Sequence, residues 1–173
     1  MITFERSTDY ELIRSILTHP KIYPHISDDG SPPREEYRPV ESDAIWYVVV
    51  RDCGEVLGLW MFVPLNTITY EIHTALLPKA WGSRAIQAAL ELPDWIWQNT
   101  PCRRIVTHVP SPNRLALRFA LAAGMEMFGI DKASYLKNGV LCDQFCLGMS
   151  RPDDMPISER QDALESTAKG QEV

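Results

Sequence analysis

Glu71-Ile72-His73-Thr74-Ala75-Leu76-Leu77-Pro78-Lys79-Ala80-Trp81-Gly82-Ser83-Arg84-Ala85-Ile86-Gln87-Ala88-Ala89 reads as the end of a strand, a short loop and the start of a helix. The β-type run stops at Pro78, whose ring nitrogen cannot donate to a ladder. Gly82 supplies dihedrals closed to other residues and lets a ligand or another backbone come close. From Ser83 a helix-forming run begins, and the first amides of a helix are unpaired and carry the positive end of its dipole. Strand, glycine-bearing turn and helix start together make a cradle for a diphosphate. An ordinary strand-to-helix connection has the same outline, so the reading turns on a second stretch.

That stretch follows a strand over Arg104 to Val109. Pro112-Asn113-Arg114-Leu115-Ala116-Leu117-Arg118-Phe119-Ala120-Leu121-Ala122-Ala123-Gly124-Met125 reads as a helix stopped at Gly124, a C-cap position. Taken together, the two stretches resemble the GNAT superfamily of N-acetyltransferases. The first is similar to that superfamily's acetyl-CoA loop, (Gln/Arg)-x-x-Gly-x-(Gly/Ala), and the second to its Asn-x-x-(Ser/Ala)…Gly-Phe helix. Asn138-Gly139-Val140-Leu141-Cys142-Asp143 resembles the Gly-x-x-x-Asp strand that closes chains of the branch acetylating N-termini of ribosomal proteins. The likeness spans Met1 to Ser150. The chain departs from the pattern at Lys79 (usually Gln or Arg), Arg84 (Gly or Ala), Met125 (Phe), Ala116 (often Ser) and Ala120, where many relatives carry a Tyr general acid.

The resemblance implies an α/β fold, a mixed and mostly antiparallel sheet flanked by helices on both faces. It implies acetyl-CoA as co-substrate and direct transfer of acetyl to a primary amine, on a peptide N-terminus or a small molecule. Leu77, Lys79, Ala80, Trp81, Gly82, Ser83, Arg84 and Ala85 would then hold the cofactor, with main-chain nitrogens between Ala80 and Ala85 on the diphosphate. Lys79 and Arg84 could add charge, and Asn113 could hydrogen-bond the pantetheine arm or cap its helix. Glu71 is the candidate general base, at a position where some relatives carry a catalytic Glu, and a strand carboxylate paired with a cation is the plain alternative. His73 shares its face and is the other candidate base. Tyr135 is the nearby phenol able to protonate the leaving thiolate, and otherwise a turn residue. His108, at the end of its strand, could line the acceptor cleft. A second reading keeps the fold and drops catalysis for a binding or assembly role, as in similar small proteins of tailed phages.

Composition sets outer limits. The 173 residues suit one domain with a full core. A net charge of −6 argues against a nucleic-acid scaffold. Cys53, Cys102, Cys142 and Cys146 show no Cys-x-x-Cys spacing, no metal-ligand pattern is present, and free thiols in a reducing compartment are expected. Met1 is followed by a polar strand-like start rather than an apolar leader, and no run approaches a membrane span. A cytoplasmic location is expected.

In chain order, Ile2 to Phe4 reads as a first strand, and Ser7, Thr8 and Asp9 offer caps for a helix over Tyr10 to Leu17. Pro20 to Ser42 reads as a long loop with a helical turn, over the acceptor side in the resembled family. Ala44 to Arg51 and Glu55 to Val63 make a hairpin about Asp52-Cys53-Gly54. Thr67 to Leu77 alternates, setting Glu71, His73 and Ala75 on one face. Pro93 should kink the helix Ser83 to Asn99 or split it at Leu92, with Trp95 buried and Trp97 at an edge. Met125 to Lys132 and Leu141 to Met149 complete the sheet. Residues 1–150 form the domain, and 151–173 a polar tail, either solvated or docked on a partner or a second copy.

Overall fold

The computed structural model describes residues 1–154. Seven strands form one sheet in the order β1-β2-β3-β4-β5-β7-β6: β1 Ile2–Ser7, β2 Trp46–Asp52, β3 Glu55–Pro64, β4 Thr69–Leu76, β5 Arg104–Pro110, β6 Glu126–Lys137 and β7 Val140–Ser150. Every neighbouring pair is antiparallel except β4 with β5. Helix α1 (Tyr10–Leu17) and the single turn α2 (Tyr23–Ile26) lie on one face. There Ile13, Ile16 and Leu17 bury against Val49, Leu59 and Ala75. Helices α3 (Ser83–Asn99) and α4 (Arg114–Ala122) cover the other face, over Val48, Val50, Trp60 and Phe62. The split follows from strand alternation, because neighbours on β2 and β3 point to opposite cores. The expected mixed, mostly antiparallel sheet with helices on both faces is the architecture found.

Several bounds move. Strand β1 runs on to Ser7, and α1 is capped by the Asp9 carboxylate, which accepts from Leu12 N at 3.0 Å. Strand β6 extends to Lys137, so Tyr135 stands on a strand rather than in a turn. The expected break at Pro93 does not occur, and α3 is continuous from Ser83 to Asn99. Proline removes one intrahelical hydrogen bond, yet its fixed φ fits a helix. Ala88, Ala89, Leu92 and Ile96, on both sides of Pro93, are buried in the core. Trp95 is half-buried against Phe4 and Trp46. Trp97 also packs on the core instead of standing at an edge, with its indole N–H buried. Of the tail, Pro152–Asp154 forms a 3-10 turn tied back by an Arg103–Asp154 ion pair at 3.2 Å. The rest of the expected tail, and with it the solvated or docked alternatives, falls on 155–173, outside the described residues.

Two features shape the middle of the sheet. The β2–β3 register slips between Val50 and Arg51, leaving Leu57 as an extra residue. Next to this bulge, Gly58 lies under the end of β4, where a Cβ would stand 2.3 Å from the Ala75 carbonyl oxygen and 2.7 Å from Leu76 Cα. Bulges bend the strand that carries them, and this one lets the end of β4 follow β3 away from β5. Opposite it, the Pro20 to Ser42 segment is strapped to the β6–β7 hairpin. The Asp29 carboxylate accepts from Asn138 N and Gly139 N, each at 2.7 Å, and Lys137 Nζ donates to the Pro24 carbonyl at 3.0 Å.

Candidate functional site

The parallel pair β4 and β5 is hydrogen-bonded only over Thr69–Glu71 and Arg104–Val106. Both strands continue, β4 held by β3 as far as Leu76 and β5 held by β7 as far as Pro110. A gap therefore opens between them past Glu71. Leu77 N–H donates to the Leu57 carbonyl at 2.8 Å. Antiparallel alternation then turns the odd-numbered peptide groups of β4 toward β3, and those of Thr74 and Leu76 into the gap. The same count on β5, from Ser111 N to the Asp143 carbonyl, sets the peptide of His108 on the gap side. Pro110 also falls there, and has no N–H to leave unpaired.

A cleft of about 790 Å³ runs through this gap, within the range of small-molecule sites. Its wall on the α3/α4 side includes Ala85, Ala89, Ala116 and Ala120, whose short side chains leave it wide. On the α2 side it is bounded by Ile22, His25, Asp28 and Tyr135. Glu71, His73 and His108 line it where the strands part. The two departures at Ala116 and Ala120 thus widen the passage.

Glu71 and His108 are joined by a 2.8 Å hydrogen bond between Oε1 and Nδ1, with 20 and 31 % of their side chains accessible. A carboxylate only accepts, so the bond requires a proton on Nδ1, and in the neutral ring that puts the lone pair on Nε2. His73 Nε2 is 3.8 Å from the other Glu71 oxygen, too far for a hydrogen bond. Burial lowers the pKa of His73 and nearby His108 lowers it further, while Glu71 acts the other way. The side chain is 46 % accessible, but to the interior of the cleft rather than to open solvent, so desolvation prevails. Stability carried by neutral His73 is present above about pH 6.5, the usual histidine value, and is lost as pH falls through the lowered folded value. His73→Gln is therefore expected to flatten the acid side of the stability profile. Melting temperatures at pH 8 and pH 5 should fall less in the variant than in the parent.

The loop is corrected in three respects. Leu77, Ala80 and Trp81 nitrogens are occupied, donating to the carbonyls of Leu57, Leu77 and Pro78. The first α3 bond runs from Ile86 N to Gly82 O, so the unpaired amides are those of Ser83, Arg84 and Ala85. Gly82, at φ 94 and ψ −140, makes the turn that presents them. Arg84 does not point into the gap: its guanidinium lies 2.8 Å from Glu55 and 3.3 Å from Asp52, and Lys79 is 3.2 Å from Glu55. Arg84 first, then Lys79, holds the Glu55 carboxyl below its usual range. Neither cation is free for phosphate. Trp81 lines the cleft without closing it, its indole donating to the Leu76 carbonyl at 2.8 Å.

Asn113 caps α4, its Oδ1 accepting from Ala116 N at 3.2 Å, and faces the cleft, so capping and ligand contact are compatible. Tyr135 also lines the cleft, but its hydroxyl donates to the Ser27 carbonyl at 2.7 Å, and burial raises its pKa. That proton is committed, which weakens Tyr135 as a thiolate acid. Two residues gain weight. His108 was legible only as a cleft residue, since no local signal joins it to Glu71. Arg118, on α4, lines the cleft and has no carboxylate partner among the described residues.

No protein-family model matches the sequence, and no curated protein matches it by sequence. Solved structures do match in shape. Spermidine N-acetyltransferase from Vibrio cholerae, in complex with CoA and spermine, is 16 % identical, with TM-score 0.71 over 87 % of this chain and 95 % of that one. An acetyltransferase of the GNAT family from Streptococcus pneumoniae is 11 % identical, with TM-score 0.64 over 87 % and 99 %. Ribosomal-protein-alanine N-acetyltransferase from Brucella melitensis is 14 % identical, with TM-score 0.63 over 86 % and 99 %.

Proposed function

We propose that this chain, which has the GNAT fold, transfers acetyl from acetyl-CoA to a primary amine within the cleft between β4 and β5. The observation that carries the reading is the Glu71–His108 pair at the point where the two strands part, in a passage lined from both faces of the sheet. The outward peptide of Thr74 and the outward N–H of Leu76, whose carbonyl is taken by the Trp81 indole, suit the amides of an extended pantetheine arm, which would add to β4 as a short strand does. The amides of Ser83, Arg84 and Ala85 suit the diphosphate. The amine would approach from the α2 side. His108 Nε2 takes its proton as the nitrogen lone pair adds to the thioester carbonyl, and Glu71 stabilises the imidazolium so formed. A carbon–nitrogen bond forms, the carbon–sulfur bond breaks, and the departing thiolate recovers a proton from that imidazolium or from water. Neighbours of the same fold named as N-acetyltransferases support the reaction class.

With Lys79 and Arg84 engaged by Glu55 and Asp52, Arg118 is the cation assigned to the phosphates. Arg118→Ala should weaken acetyl-CoA about tenfold, or about 1.4 kcal/mol, by isothermal titration. Arg84→Ala should change it less than about twofold. The reverse order would return the phosphate role to the loop. A binding role without turnover is the second reading, favoured by the occupied Ala80 and Trp81 amides and by Ala120. Titration with acetyl-CoA, followed by thiol release with amines, separates the two. Binding with no thiol release supports the second, and no binding at millimolar concentration ends the first.

A further inference from the structure

The cleft has a second chemistry at its α2 end. Lys21 and His25 both line it, four residues apart across a helical turn in which Ile22 N, Tyr23 N and His25 N donate to carbonyls three or four residues back. Among the described residues neither the Lys21 ammonium nor the His25 ring has a side-chain ion-pair partner. Arg118 on the same cleft is likewise unpaired among those residues, whereas Lys79, Arg84, Arg103 and Lys132, which do not line it, each lie within 3.3 Å of a carboxylate. The carboxylates on the cleft are already engaged. Glu71 is held by His108, and Asp28 is turned into its own loop, Oδ1 accepting from Gly30 N at 3.0 Å and Ser31 Oγ at 2.8 Å. An acceptor entering here would meet the Lys21 ammonium, with Asp28, hydrogen-bonded within its own loop, as the carboxylate beside it.

We infer that the acceptor is a small primary amine that also carries an anionic group, with Lys21 and His25 gripping the anion while the amine reaches Glu71 and His108. The inference rests on the acetyl-transfer reading and names the substrate class for it. Lys21 supplies a charged donor and His25 a second donor four residues on, and a carboxylate or phosphate can accept from both kinds of group. Such a clamp selects by leaving the buried half of a mismatched ligand without partners, so discrimination appears in binding of the acceptor rather than of the thioester. Lys21 is a specificity residue here, distinct from the proton-transfer pair.

Three probes test this with the full chain and acetyl-CoA: L-glutamate, ethanolamine and spermidine. The expected order of kcat/KM is L-glutamate, then ethanolamine, then spermidine, with at least about tenfold between the first and last. Lys21→Glu should lower the L-glutamate to spermidine ratio by about 100-fold, and a ratio cancels any general loss of activity. Calorimetric titration of L-glutamate into CoA-loaded protein should show binding that Lys21→Glu abolishes. If acetyl-CoA binds but spermidine is preferred, or the ratio does not move, the anionic-acceptor inference is overturned while the transferase reading stands. If acetyl-CoA does not bind, the transferase reading fails and takes this inference with it.

Discussion

Glu71→Gln is expected to lower kcat for acetyl transfer by about 100- to 10,000-fold, the usual span for a lost proton-transfer partner, with acetyl-CoA affinity unchanged. The substitution keeps the shape of the side chain. It replaces a carboxylate, which can only accept from His108 Nδ1, with an amide whose NH2 group competes for that position. Without the carboxylate the imidazole loses the group that fixes its tautomer and stabilises its charged form. His108→Ala should cost a similar factor, and the double variant little more, because partners acting as one unit are not additive. Steady-state thiol release measures all three. If both single variants keep more than half of the parental kcat, the pair has no part in the chemistry and His73 becomes the base to test.

The second large effect concerns the backbone that makes the gap. Gly58→Ala is expected to destabilise the fold by about 1–3 kcal/mol, the range of strained-backbone and overpacking substitutions. The added carbon would meet the Ala75 carbonyl oxygen and Leu76 Cα, main-chain atoms that cannot rotate aside, at φ 143. Relief requires moving the end of β4, so acetyl-CoA affinity should fall together with stability. Urea unfolding with an unchanged m-value, paired with calorimetry, would show both losses. A variant as stable as the parent would mean that the β3–β4 approach is not what spreads the strands.

Much of this fold was legible because local chemistry and global placement agree. The alternation of Glu71, His73 and Ala75, the Cys53-Gly54 turn and the Asn113 to Gly124 helix read correctly from neighbouring residues. Pro93 does not split α3 at Leu92, because the residues on both sides of it belong to one packed face that propensity alone does not show. The end of β6 was missed although Asn138-Gly139 is itself a hairpin signal, with φ 52 and 72. At the site, Glu71, His73, Trp81, Gly82 and Ala85 of the Glu71 to Ala89 stretch line the cleft, but the partners of this stretch were not legible. Glu55 engages Lys79 and Arg84 from a different hairpin, and His108 meets Glu71 across 37 positions. Such pairings are set by strand order, which no spacing in the sequence records.

The strap that ties Asp29 to the Asn138-Gly139 corner lies beside the α2 side of the cleft, next to the lining residues Asp28 and Tyr135. Under the proposed function, donor and acceptor would use opposite sides of one cleft, so that both could be present when the bond changes hands. A new acceptor could then arise by remodelling the strap, while the side proposed to hold the thioester stays as it is.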